Sequence, residues 1–419
     1  MEAQCSELSC YTKREEENNM RRSTNLFLVI ATIFLCSLTE TAAATTYWIS
    51  PIGNDSTSCA SIRGTSDPRI YRRTIAGGAA CLSGGDTLKI RGGTYVEQLK
   101  NPLPSGISAS QPTVMEGVAG ELVIIRPPSG GGAVISFTTN RSFMTFRNLT
   151  LDGVNLRSGE TTGFQIGNTR VVTGLTIENC EIKNHVSSAI TLGDSVSNAL
   201  VRQNKLHDGL CDPNGDYSCH GIYLRATNSI VEHNEIFNNK ITGITIYSQT
   251  VGATGNIIRY NYFHGNSANT GTAGPGAGTG DRAINLSRAN NIIHNNVIAY
   301  NVDHGIKVTA TATNSKIYNN TIINNGGRGI WLQSTAGTGI EVKNNIVLGN
   351  SSGQIVCDAC ISALTNNLTA GTASDILVNP SAGDFRPKSS TLTLGAYDYG
   401  TPNATQTPLP PSNLVTIGQ

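Results

Sequence analysis

Apolar and polar residues alternate in short runs along most of this chain, and the runs recur. Six of them read Ala189-Ile190-Thr191-Leu192, Gly221-Ile222-Tyr223-Leu224, Gly243-Ile244-Thr245-Ile246, Ala283-Ile284-Asn285-Leu286, Gly305-Ile306-Lys307-Val308 and Gly329-Ile330-Trp331-Leu332. Apolar side chains two places apart point to one face, so each run predicts a short strand with one buried side. An Asn followed two residues later by an apolar side chain recurs at Asn179, Asn204, Asn234, Asn261, Asn296, Asn320, Asn345 and Asn367, at intervals of 22 to 35 residues. A second Asn follows, usually five residues on, at Asn184, Asn239, Asn266, Asn301, Asn325 and Asn350.

No helical pattern separates these strands, so a crossover fold, which returns each strand through a helix, is ruled out. Parallel coils must stack directly. The pattern predicts an all-β chain, a single-stranded right-handed parallel β-helix of roughly ten turns, with Asn side chains at the corners bonded to their copies about 4.8 Å away. The expected organisation is an N-terminal extension and signal peptide over 1–44, a cap and first coils over 45–135, repeats over 136–395, and a tail over 396–419.

Composition agrees with short strands and tight turns: 14% of residues are charged, 6% are aromatic and 45 are glycine. Formal net charge is +1. No basic cluster lies beyond the N-terminus, so a nucleic-acid partner is not expected. Arg21 and Arg22 precede the uncharged stretch Leu26 to Leu38 and then Ala42-Ala43-Ala44, which reads as an export signal cleaved near Ala44. That stretch is short for a membrane span, so no stable insertion is expected. An extracytoplasmic monomer is predicted, with disulfides as the default for its cysteines. Cys59 would pair with Cys81, Cys211 with Cys219 and Cys357 with Cys360, leaving Cys180.

Segments of the chain resemble the secreted pectate-lyase-like β-helix proteins, which include polysaccharide lyases. Tyr47 to Asp55 and Gly84 to Tyr95 are similar to the opening coils of that superfamily. Gly383-Asp384-Phe385-Arg386 and Leu394-Gly395-Ala396-Tyr397 are similar to its closing segment. The resemblance implies the fold and a carbohydrate-active protein, but no single chemistry. The Asp-rich calcium motif of pectate lyases, the paired Asp and Gly-His-Gly of polygalacturonases and the Asp-Pro-His of alginate epimerases are not found.

Two turns are longer than the rest. From ladder Asn to strand Ile the distance is 10 residues in four turns, but 18 from Asn204 to Ile222 and 23 from Asn261 to Ile284. A solenoid places loops from one corner on one face, so the two insertions are expected to wall a groove. Its floor would carry the outward rows Thr191, Tyr223, Thr245, Asn285, Lys307, Trp331 and Arg225, Tyr247, Ser287, Thr309, Gln333. Aromatic faces stack on sugars while Lys and Arg pair with uronate carboxylates, so this floor suits an acidic polysaccharide. Just upstream lie His220, Arg282, His304 and Arg328, with Asp281 and Asp303 beside them.

β-Elimination of a uronate needs a base for the proton next to the carboxylate and cations for the enolate-like charge. Lys307 is the first candidate base, with Tyr223, Arg225, Tyr247, Asn285, Arg328 and Trp331 as substrate contacts. A free Lys titrates too high for this task and needs neighbouring cations, and Arg282 and Arg328 stand roughly 10 Å away along the strand. His220, about three turns or roughly 14 Å off, is the competing centre. A hydrolase would instead use Asp281 and Asp303 as paired carboxylates in adjacent turns. A surface protein that only binds glycan is the third reading. Inside the first insertion Asp212, Asn214 and Asp216 alternate as in a Ca2+ loop, although Tyr217 stands where a glycine is usual and no downstream Glu completes the set.

Overall fold

The computed structural model describes residues 43–64, 67–156, 162–211, 219–250, 252–267, 282–309, 311–358 and 363–397. Short strands stack into three parallel sheets of 13, 10 and 10 strands, close to the expected number of turns. Each turn visits them in order. Ile292–His294 lies in the first sheet, Val297–Ala299 in the second and His304–Val308 in the third; the next turn repeats this with Lys316–Tyr318, Thr321–Ile323 and Ile330–Leu332. The inward residues form one continuous core, with Ile293, Ile317 and Val342 from the first sheet facing Ile298, Ile322 and Val347 from the second and Ile306 and Ile330 from the third. Alternation of side chains along each strand leaves the partner residues on the outer face.

The corner between the first and second sheets explains the Asn signal, and it uses Asn twice. One residue adopts the left-handed conformation and the next turns its side chain inward. In successive turns Asn295 and Asn319 have φ of 53° and Asn344 of 56°, while Asn296, Asn320 and Asn345 are buried. Asn tolerates positive φ better than most residues, which accounts for the first position. At the second, the Oδ1 of Asn320 accepts from the backbone N–H and the Nδ2 of Asn296, both at 3.0 Å, and the pattern repeats from Asn204 through Asn367. Buried amides are thereby satisfied turn by turn.

This pairing corrects two expected positions. Asn179 is not the first rung of the ladder: with φ of 50° it occupies the left-handed site and donates to Asn148. Cys180 takes the inward position instead. Its backbone N–H donates to Asn204 Oδ1 at 2.9 Å and its buried thiol lies 3.3 Å from the Glu178 carbonyl. At the next corner Asn184 likewise has φ of 56°, and His185 points inward ahead of the rungs Asn239, Asn266, Asn301, Asn325 and Asn350. A Cβ on Gly209, between His185 and Asn239, would stand 2.7 Å from the His185 ring, so only glycine fits there. A third, unexpected ladder of Ser229, Asn256, Asn291 and Ser315 holds the corner from the third sheet back to the first.

The outer face of the first sheet carries a row of alternating charge: Lys89, Glu116, Arg147, Glu178, Arg202, Glu232 and Arg259 are register partners in successive strands. Glu116, almost fully buried, is paired with both Lys89 and Arg147, and Arg202 meets Glu178 at 2.5 Å.

At the N-terminal end the helix Ile75–Ala79 covers the core. Thr74 caps it through Gly77 N–H, and the Glu97 carboxylate accepts from the amides of Ile75 and Ala76. Trp48 stacks on Tyr71 here, with ring centres 5.9 Å apart. At the other end the chain folds back. Leu377, Phe385, Ala396 and Tyr397 pack on Val297, Ile323, Ile346 and Leu348 at the outer face of the second sheet. The Cys59–Cys81 and Cys211–Cys219 disulfides form as expected. Cys357 is also disulfide-bonded, and its expected partner Cys360 lies outside the described residues. No helix among the described residues is long and apolar enough to cross a membrane.

Candidate functional site

The third sheet presents the outward row in the expected register: Thr191, Tyr223, Thr245, Asn285, Lys307 and Trp331 stand opposite one another in six successive strands. The upstream row is His220, Thr242, Arg282 and His304, so a threonine interrupts the basic series. Asp281 and the trio Asp212, Asn214 and Asp216 lie outside the described residues, as do most of both insertions expected to wall the groove.

Trp331 organises the C-terminal half of this face. Its indole N–H donates to Asp358 at 2.9 Å, the Arg328 guanidinium sits 4.2 Å from the ring centre and the Lys307 ammonium 4.6 Å, and the His304 ring meets it edge-on at 4.9 Å. Two cations share one indole. Its π-system therefore supports them, and the ring is not a bare platform for a sugar. Two steps along the row from Trp331, past Lys307, Asn285 is 7% exposed, and its Oδ1 is buried with no hydrogen-bond partner among the described residues. A buried acceptor left unpaired costs about 1–3 kcal/mol, which a ligand hydroxyl would recover.

His304 has a defined tautomer. Its Nδ1 accepts the Arg328 backbone N–H at 2.8 Å, which leaves the proton on Nε2 and the ring neutral. Asp303 Oδ1 approaches the same nitrogen at 3.2 Å, but that nitrogen carries no proton to share. Burial lowers the His304 pKa, with Asp303 opposing and Lys307, Arg328 and Arg282 assisting the shift. Gly327 makes the arrangement possible, since a Cβ there would stand 2.2 Å from the ring.

His220 is more deeply placed. Burial pushes its pKa down to about 3, Arg282 adding to the effect, and Thr245 Oγ1 is 3.4 Å from its Nδ1. It stays neutral at any ordinary pH. Arg225 is committed elsewhere: its guanidinium forms a two-point bond with Asp194 at 2.6 and 3.1 Å, and Ser248 donates to the same carboxylate. It lies 5.5 Å from the Tyr223 ring and so fixes that ring from below. Tyr247 is covered by Arg288 at 5.0 Å.

Asp194, Asp358, Thr242 and Arg288 went unseen in the sequence. Asp194, Asp358 and Arg288 are each joined to a partner by a contact between different turns at different offsets, which no repeat alignment displays, whereas Thr242 occupies the aligned position two before the strand Ile and was legible there. What the arrangement offers is a cation-rich surface: Lys307, Arg282 and Arg328 all act on the neutral imidazole of His304, and Lys307 stands beside the buried Asn285. Of the described carboxylates, Asp358 is engaged by Trp331 and Asp194 by Arg225, while Asp303 stands beside His304.

Fold and face together define a β-solenoid with a cationic outer sheet. Residues 133–287 and 278–369 match the family described as right handed beta helix region, more than half of the chain, and the chain belongs to that family. Among solved structures it is similar to pectate lyase Pel9A, with 15% identity, a TM-score of 0.63 and coverage of 84% of this chain and 90% of that one. It is also similar to a rhamnogalacturonan lyase, with 15% identity, a TM-score of 0.61 and coverage of 85% and 96%. At such identities the likeness is one of fold. No match was found among curated proteins.

Proposed function

We propose that the protein is a secreted polysaccharide lyase that cleaves an acidic, uronate-containing polysaccharide by β-elimination on the third sheet. The observation that carries the reading is the juxtaposition of the nearly buried Lys307 with Asn285, whose Oδ1 has no partner among the described residues, beside the neutral His304 on which Lys307, Arg328 and Arg282 all act. That both similar structures named above are lyases supports it.

In this scheme the Lys307 amine removes the proton on the carbon next to the uronate carboxylate. The electron pair forms a ring double bond, the bond to the glycosidic oxygen breaks, and that oxygen takes a proton from solvent. Arg282 and Arg328 hold the charge that builds on the carboxylate. Asn285 accepts a substrate hydroxyl. The cations around Lys307 favour release of its own proton between turnovers.

The hydrolase alternative needs Asp303 as an acid or base with Asp281 as its pair. Asp303 stands against the imidazole of His304.

The test is absorbance of unsaturated product after incubating the protein with a panel of uronate polysaccharides. Product with one polymer, lost by at least about 100-fold in Lys307→Ala, is expected. New reducing ends without unsaturation would move the assignment to the hydrolase. Binding with neither product would leave a glycan-binding protein.

A further inference from the structure

A cavity of about 500 Å³ opens at the N-terminal end of the molecule, where the cap helix meets the first strand of the third sheet. Its walls are mostly aliphatic: Ala76 and Ala80 come from the helix and its C-cap, Leu99 and Pro102 from the coil beneath. Lys100 and Arg141 stand among them. The size is within the range of small-molecule sites, and so is the pattern of apolar walls with a few polar groups.

The charges there are unbalanced. Arg141 spends Nε on the Leu103 carbonyl at 3.0 Å and Nη1 on the Asn140 carbonyl at 2.9 Å, both neutral acceptors. Lys100 is exposed, and among the described residues no carboxylate bonds to it. The near carboxylate, Glu97, is occupied with the two amides that open the cap helix. Two cations therefore line a largely apolar hollow, and among the described residues Glu97 is bonded to neither of them. The other polar wall residues, Gln98 and Asn101, are bonded to Gly132 and to Thr138 and Thr139, and a neutral ligand, sugar or apolar, would leave both cations without an anionic partner.

We propose that this cavity binds an organic carboxylate with an apolar body, such as an aromatic acid, with its carboxylate on Lys100 and Arg141 Nη2 and its ring against Ala76, Ala80, Leu99 and Pro102. The site is distinct from the cationic face. Lys100 and Lys307 lie in the same outward row, seven register steps or roughly 34 Å apart.

Calorimetric titration of the full chain with cinnamate and with methyl cinnamate tests this. Cinnamate is expected to bind one to one, with the ester at least about tenfold weaker, because a charge-assisted hydrogen bond is lost. Lys100→Gln should weaken cinnamate by a similar factor, and Ala76→Trp, on the exposed side of the helix, should abolish binding while the thermal midpoint stays in place. Absence of cinnamate binding, equal binding of acid and ester, or wild-type affinity in Lys100→Gln overturns the proposal. If Ala76→Trp unfolds, the ester and Lys100→Gln decide alone. Uronate cleavage is read separately, so loss of either result leaves the other standing.

Discussion

Asn285 and Lys307 are register partners in adjacent strands of the third sheet, and both residues are more than nine-tenths buried. Since Asn285 Oδ1 lacks a partner there, replacing it separates stability from function. Asn285→Leu is expected to leave the unfolding free energy unchanged or raise it, because an unpaired acceptor has gone. Turnover on the cleaved polymer should fall by about tenfold or more. A loss of stability above about 1 kcal/mol would mean that Asn285 serves the fold and not the substrate.

Two buried histidines make the fold acid-sensitive. Burial is the first cause of the fall of both His185 and His220 to about 3, while in the unfolded chain each titrates near 6.5. Between those values the unfolded state binds protons that the folded state refuses, so stability rises with pH from about 3 to 6.5 and is level above. At about 1.4 kcal/mol per unit, each His costs several kcal/mol at the acid end. Urea unfolding at pH 7.5 and 4.5 should show a clear drop in midpoint, and a smaller drop in His220→Gln. Identical midpoints at the two pH values would refute the assignment.

The Asn ladder should be felt at every rung. Asn320 accepts from Asn296 and donates to Asn345 and to the Ile293 and Tyr318 carbonyls. Asn320→Leu strands several of these groups inside the solenoid, so a loss of about 3 kcal/mol or more is expected by denaturant titration. A loss below about 1 kcal/mol would show the ladder to be ornamental.

Ion pairs on the first sheet should differ by burial. Glu116 is 4% exposed between Lys89 and Arg147, and Glu116→Ala should cost about 2 kcal/mol. Glu341, 39% exposed between Lys316 and Lys343, should cost under about 0.5 kcal/mol when changed in the same way. Equal costs would contradict the argument.

The Cys180 thiol is pushed up to about 12 by burial. A thiol-specific reagent at pH 8 should therefore leave it untouched in the folded protein and reach it only after unfolding. Rapid labelling of the native protein at Cys180 would count against its place at the top of the ladder.

Much of the architecture was legible because side-chain alternation and corner amides are local matters. The rows through Tyr223, Asn285, Lys307 and Trp331 follow from period-two strands and a fixed offset, and they hold across both long insertions. The misplacement at Asn179 and Asn184 has a physical reason. Asn suits both the left-handed corner residue and the inward rung beside it, so one letter reports two roles, and only inter-turn bonds tell them apart. In the site, residue identity did not reveal engagement. Arg225 reads as a free cation until Asp194, from the preceding turn, is seen to hold it, and Trp331 reads as a sugar platform until Arg328 and Lys307 are placed on it.

The chain holds two tryptophans, and they sit far apart in the solenoid. Trp48 stacks on Tyr71 beneath the cap, while Trp331 is wedged among cations on the third sheet. Each indole is thus a built-in optical reporter for one end. Coils that touch only their neighbours can unravel piecemeal. Replacing one tryptophan at a time by Phe would reveal whether this rod melts as a unit or frays from a preferred end, with no dye attached.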